Sequence, residues 1–228
     1  MKKLSFITIA LAIVITTGNF VAIAATNPLA GKIIALDAGH GGGENGATNT
    51  INGVLVTEAE VNMSVVNALK LKLEGQGAYV VVASQLASRK DRVDDVIAKC
   101  AVFDLNNDGV GDKCNALVSI HHNGSTDASY DGTLVIYNEK KDKLLAEKML
   151  AALIPLTGNS DGLENGGYGM TVYGNLVSVI TEAYYITNDG EARAWLSGTR
   201  TPQEVDAQIA GLTSYFASQT GGKGGKPR

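Results

Sequence analysis

What this 228-residue chain has little of narrows it first. Basic side chains do not outnumber acidic ones: 19 Lys and Arg stand against 23 Asp and Glu, a formal net charge of −4. That balance argues against a nucleic-acid partner held through phosphate contacts. Cysteines number two, which limits the chain to one disulfide. No internal repeat is present. Long apolar runs are missing too, except at the amino end, where "MKK" precedes the apolar "LSFITIALAIVITTG" and then "AIA". This is the layout of a secretory signal over residues 1–24, with cleavage expected after Ala24. The run is too short, and too closely followed by small residues, for a membrane anchor, and no nearby cysteine offers a lipidation site. A secreted or periplasmic protein is expected, monomeric and without stable membrane insertion.

Removing the signal takes away Lys2 and Lys3, so 17 basic side chains face 23 acidic ones and the net charge is near −6. Residues 25–220 are long enough to form one domain with a proper core, and the terminal "GGKGGKPR" at 221–228 reads as a disordered tail. Within the domain, short β-rich runs alternate with helical patterns. "KIIALD", "AYVVVAS", "ALVSIHH", "GTLVIYN" and "LVSVITEAY" predict strands, several of them apolar on both faces. Val61, Val65, Leu69 and Leu73 recur every four residues behind Thr57 and Glu60, a capping-box pattern, and predict a helix from about Glu58 to Glu74. "EKKDKLLAEKMLAALI" and "TPQEVDAQIAGLTSYF" predict two more; in the second, Thr201 is the expected cap, Pro202 the first helical residue and Glu204 the completion of the box. The expectation is an α/β fold: a single domain with a central, mostly parallel twisted sheet covered by helices on both faces. Functional residues should then gather at the carboxyl ends of strands.

The three histidines fit that expectation. His40 follows "KIIALDAG", and His121 and His122 end "ALVSIHH", so two imidazoles can converge if these strands are neighbours. A catalytic zinc usually takes three protein ligands from His, Glu or Asp and leaves one position for water. The third ligand is open among Glu58, which begins the helix after the glycine-rich loop, Glu60, which competes as a helix cap, and Glu44 within the loop.

Four stretches in order, "IIALDAGHGG", "TEAEVNMSV", "LVSIHHN" and "VITEAYYITND", resemble the type-3 class of zinc-dependent N-acetylmuramoyl-L-alanine amidases. Those enzymes cut peptidoglycan between the lactyl group of N-acetylmuramic acid and the L-alanine of the stem peptide. The resemblance implies that His40, Glu58 and His121 are the zinc ligands and that Glu182 is the catalytic glutamate. It also implies that His122 fills a position the family usually gives to a small residue. Where relatives often carry Arg-Gly and a Pro before the last strand, this chain has "GGYG" at Gly166–Gly169 and Val177. The implied chemistry is coherent, because a Lewis acid activates both a poor amide electrophile and a water, while a nearby carboxylate moves the proton. The partner implied is peptidoglycan. Two other readings share these features: a catalytically silent wall-binding module, and a zinc peptidase acting on another amide.

"CAVFDLNNDGVGDKCNA" holds a second pattern. Asp104, Asn106, Asp108, Gly109 and Asp112 fit positions one, three, five, six and nine of a calcium loop, with the Val110 carbonyl at seven and Asn115 at twelve. Structural Ca2+ is therefore expected beside the Zn2+. Cys100 and Cys114 bracket this insertion, residues 100–115, and a disulfide between them is expected in an oxidising compartment.

Overall fold

The computed structural model describes residues 27–220; the signal expected at 1–24 and the tail expected at 221–228 lie outside the described residues. In chain order the elements are β1 (Ile33–Ala38), the hairpin β2 (Thr48–Ile51) and β3 (Val54–Thr57), α1 (Glu58–Gly75), β4 (Tyr79–Val82), α2 (Arg89–Cys100), β5 (Ala116–Asn123), β6 (Thr133–Tyr137), α3 (Lys143–Leu153), β7 (Ser160–Asn165), β8 (Ser178–Tyr185), α4 (Asp189–Leu196) and α5 (Arg200–Thr220). Six strands form one sheet in the order β4-β1-β5-β8-β6-β7. Every neighbouring pair is parallel except β6 with β8.

The pleat of each strand sends alternate side chains to opposite faces. Ile34 and Leu36 of β1, with Ala116, Val118 and Ile120 of β5, join the main core beneath α1, α3 and α5. Ile33, Ala35 and Leu117 turn the other way, into a smaller core closed by Val93, Val96 and Cys100 of α2. Both faces are covered, which is why the central strands read as unbroken apolar runs. All five predicted strands and the three predicted helices are present, with α1 capped by Thr57, whose hydroxyl accepts from the Glu60 amide at 3.2 Å and donates to the Glu60 carboxylate at 3.0 Å.

Six elements depart from the sequence expectation. The β2–β3 hairpin turns on Asn52 and Gly53, at φ 52° and 81°, the positive values a two-residue primed turn requires. Strand β7 is an exposed-to-half-buried edge strand of polar composition, so it carries no apolar alternation to read. Helices α2 and α4 are short and capped by Ser88 and Asn188. Helix α5 starts at Arg200, which puts Thr201 inside its first turn instead of at its cap. Glu204, expected in a capping box, is fully buried and faces His122. Cys100 and Cys114 are joined by a disulfide with a Cα–Cα distance of 5.4 Å, tying the end of α2 to the approach to β5.

Candidate active site

The carboxyl ends of β1 and β5 lie side by side, with Ala38 in register with Ile120. His40 follows β1 in a left-handed backbone conformation at φ 60°, which is rare for a residue with a Cβ and is held here by its surroundings. His121 is the sixth residue of β5, and the hairpin delivers Glu58 to the first position of α1 above both. Glu58 Oε2 lies 3.1 Å from His40 Nε2, and Oε1 lies 2.9 Å from His121 Nδ1. The two imidazole rings meet edge to face with centroids 5.0 Å apart. The ligand atoms of these three residues all lie within 4.8 Å of one another, and among the described residues no other group of three or more His, Cys, Asp or Glu side chains converges in this way. Glu60 stays at the cap of α1, and Glu44 is exposed, 4.0 Å from His40 Nδ1.

Glu58 is itself clamped. Its Oε2 accepts from the Ala47 amide at 2.9 Å and its Oε1 from the His122 amide at 3.2 Å. Burial opposes its ionisation, but the His121 and His40 bonds outweigh that penalty and hold the carboxyl well below the usual range. The same bond raises His40 above the ordinary histidine value against the opposing effect of burial. Two imidazoles and an ionised carboxylate turned onto one point are a donor set suited to Zn2+ with a position left open.

Glu182 sits opposite His121 in the β5–β8 register, so both side chains lie on the same face at the same level. It lies within β8, which runs three residues beyond it to Tyr185, one residue past the end of the predicted run. Burial, and secondarily the Glu58 charge, push its carboxyl well above the usual range, and its buried Oε2 has no hydrogen-bond partner among the described residues. A groove of about 670 Å³ opens over His40, His121 and Glu182, with Arg89, Tyr168 and Tyr173 among its walls.

A second polar group, not foreseen in the sequence, braces the loop before His40. Arg92 donates to the Ala38 carbonyl and lies 2.8 Å from Asp37 Oδ1, an ion pair without hydrogen-bond alignment, while Ser119 Oγ donates to Asp37 Oδ2 at 2.6 Å. No local pattern signals Arg92, because its partners are 54 and 55 positions away in the chain.

The loop expected to hold Ca2+ looks different. Asp104 accepts from the amides of Asp108 and Gly109 at 3.0 Å each, Asp108 from the Val110 amide at 2.8 Å, and Asp112 from the Leu105 amide at 2.7 Å. Asn106 accepts from the Asp108 amide at 3.1 Å. These bonds use the loop's side-chain oxygens to cap its own backbone, each oxygen keeping a second lone pair, and calcium is not shown there.

Comparison with known proteins places this geometry in a family. A family model described as N-acetylmuramoyl-L-alanine amidase, Amidase_3, matches residues 34–213. The chain is 28% identical over 201 residues to YqiI of Bacillus subtilis, covering 84% of this chain and 88% of that protein. It is also 28% identical over 198 residues to the N-acetylmuramoyl-L-alanine amidase LytC of the same organism, covering 83% of this chain but 36% of LytC. The solved catalytic domain of CwlV, an N-acetylmuramoyl-L-alanine amidase from Bacillus (Paenibacillus) polymyxa var. colistinus, shares the fold at a TM-score of 0.68 and 24% identity, over 82% of this chain and 98% of that one. With the family match running from β1 into α5, the chain belongs to the Amidase_3 family of N-acetylmuramoyl-L-alanine amidases.

Proposed function

We propose that this chain is a zinc-dependent hydrolase of the cell envelope that cleaves the amide between N-acetylmuramic acid and the L-alanine of the peptidoglycan stem peptide. The observation that carries the reading is the convergence of His40, Glu58 and His121 beside Glu182 at one rim of the groove. His40 and His121 would hold Zn2+ through ring nitrogens and Glu58 through its carboxylate. The chemistry such an ion supplies is Lewis acidity, toward the scissile carbonyl oxygen and toward the attacking water.

Every other part of the reaction falls to the chain. The groove admits a strand of peptidoglycan between walls that carry Tyr168 and Tyr173 and an exposed guanidinium at Arg89. Glu182, at the groove's rim with one carboxylate oxygen unpartnered, accepts a proton from the attacking water and returns one to the departing amine. Burial and the nearby Glu58 charge raise its pKa, so once ionised it is a stronger base than a solvated glutamate. The four positions all carry side chains able to act, which favours an enzyme over a silent wall-binding module.

Digestion of purified peptidoglycan by the purified protein, followed by mass analysis, tests the reading. Free lactyl carboxylates with intact stem peptides are expected; stem peptides shortened internally would identify a peptidase, and undigested wall a binding module. The amino-terminal layout supports export, which amino-terminal sequencing of the mature protein at Ala25 checks. No helix among the described residues is long and apolar enough to cross a membrane.

A further inference from the structure

The pleat of β5 sends the adjacent His121 and His122 to opposite faces of the sheet. His121 reaches the groove, and His122, 1% exposed, lies in the main core between α1 and α5. We propose that His122 and Glu204, acting through Asn62, are positioning residues that fix the direction of Glu58 and so set the metal affinity of a site that α5 does not touch. The proposal rests on the zinc reading of His40, Glu58 and His121.

The hydrogen bonds run in one continuous path. Asn62 Nδ2 donates to the Gly39 carbonyl at 2.9 Å, which turns Asn62 Oδ1 toward His122 Nδ1 at 2.7 Å and requires that nitrogen to donate. Asn62 Nδ2 also lies 3.5 Å from Glu58 Oε1, the oxygen that accepts from the His122 amide. On the far side, His122 Nε2 lies 2.9 Å from Glu204 Oε2, with Glu204 fully buried. Gln208 closes the path, donating from Nε2 to Glu204 Oε1 at 3.3 Å and to Thr181 Oγ1, beside Glu182, at 3.0 Å. From α5, then, the path reaches Glu58 through His122 and Asn62, His40 through its neighbour Gly39, and the strand of Glu182 through Gln208.

The cost of this arrangement argues for its purpose. Leucine and alanine would fill the same space without burying an ionisable pair, and such pairs seldom add net stability over apolar packing. What the pair provides is direction: a protonated Nδ1 holds one orientation of the Asn62 amide, and that amide holds Gly39 and Glu58 against each other. Partners behind metal ligands fix the ligands' orientation, and their loss commonly weakens metal binding about 10- to 100-fold.

The test is zinc affinity of the metal-free mature protein by chelator competition, with thermal melting of the same metal-free samples read separately. Glu204→Gln keeps a hydrogen-bonding partner for His122 Nε2 and is expected within about threefold of wild type, whereas Glu204→Leu and His122→Ala are each expected to weaken binding about tenfold or more. The double variant Glu204→Leu/His122→Ala should lose no more than the weaker-binding single variant, because both act along one path. Melting temperatures that fall while every variant binds zinc as wild type does, or a double-variant loss equal to the product of the single losses, would overturn the proposal and leave the zinc reading standing. If His122→Ala does not fold, the contrast between Glu204→Gln and Glu204→Leu decides alone. A wild-type protein that takes up no zinc would overturn the zinc reading and the proposal with it.

Discussion

Glu58 and Glu182 share a rim and are driven apart by their partners. Glu58 faces two imidazoles and two backbone amides and stays ionised; Glu182 has burial, a like charge nearby and an unpartnered oxygen, and its carboxyl is pushed up. Separation of this kind is how two carboxylates in one site come to hold a cation and to move a proton. Glu182→Ala should therefore lower peptidoglycan hydrolysis about 10²- to 10⁴-fold while leaving zinc content at the wild-type level. Loss of zinc together with activity would instead make Glu182 part of the metal's support. Gly46 tests the other carboxylate. At φ +68° it has a conformation side chains rarely adopt, and a Cβ there would lie 2.4 Å from Glu58 Oε2 and 2.6 Å from His40 Cδ2. Gly46→Ala is expected to weaken zinc binding measurably in chelator competition, whereas affinity equal to wild type would show that the loop yields without moving the ligands.

At the scale of elements, the loop between α2 and β5 is secured by its own bonds. Removing the disulfide as Cys100→Ser/Cys114→Ser should cost about 3 kcal/mol in denaturant unfolding, the chain-entropy value for a loop of this size. Asp104, Asp108 and Asp112 cap backbone amides and keep lone pairs for an ion, so a calcium chelator tests the Ca2+ expectation: a lowered melting curve with calcium in metal analysis supports it, and identical curves with no calcium remove it. The same elements show what the sequence makes legible and what it hides. The strands of the central sheet and α1 announce themselves because burial on two faces, or on one stripe, writes a period into the apolar residues. Helix α2 carried a comparable signal in Ser88, Val93, Val96 and Cys100, and the hairpin one in Asn52-Gly53, but both are short and lie between stronger patterns. Strand β7 had none to offer. Glu204 misleads for a physical reason: its spacing from Thr201 matches a cap, but the helix begins at Arg200, two residues before the expected start, and the packing of α5 turns that side chain inward.

At the scale of the whole molecule, two histidines that touch in sequence and diverge in space tie the groove to the far helix layer. The candidate metal triad was legible in His40 and His121 as ends of parallel strands, and in Glu58 through the family resemblance; the layer behind it was not, since Asn62, His122 and Glu204 meet only after α1 and α5 pack. Stability of the assembled domain should depend on pH through Glu191, where α4 meets α5. Burial pushes its carboxyl up to about 7 from 4.5, against the opposing pull of the Arg200 guanidinium. The folded chain thus holds that proton more tightly than the unfolded one, so the contribution is fully present below pH 4.5 and is lost as pH rises through 7. Between about pH 5 and 7.5, wild type should lose on the order of 1 to 3 kcal/mol relative to Glu191→Gln in denaturant unfolding, and parallel pH profiles would show that this carboxyl does not titrate with folding.

Elemental analysis of protein purified without added zinc tests the central claim most directly. The account predicts about one zinc per chain, retained in Glu182→Ala and lost in His121→Ala. Wild-type protein without zinc, or the same zinc content in His121→Ala, would contradict it.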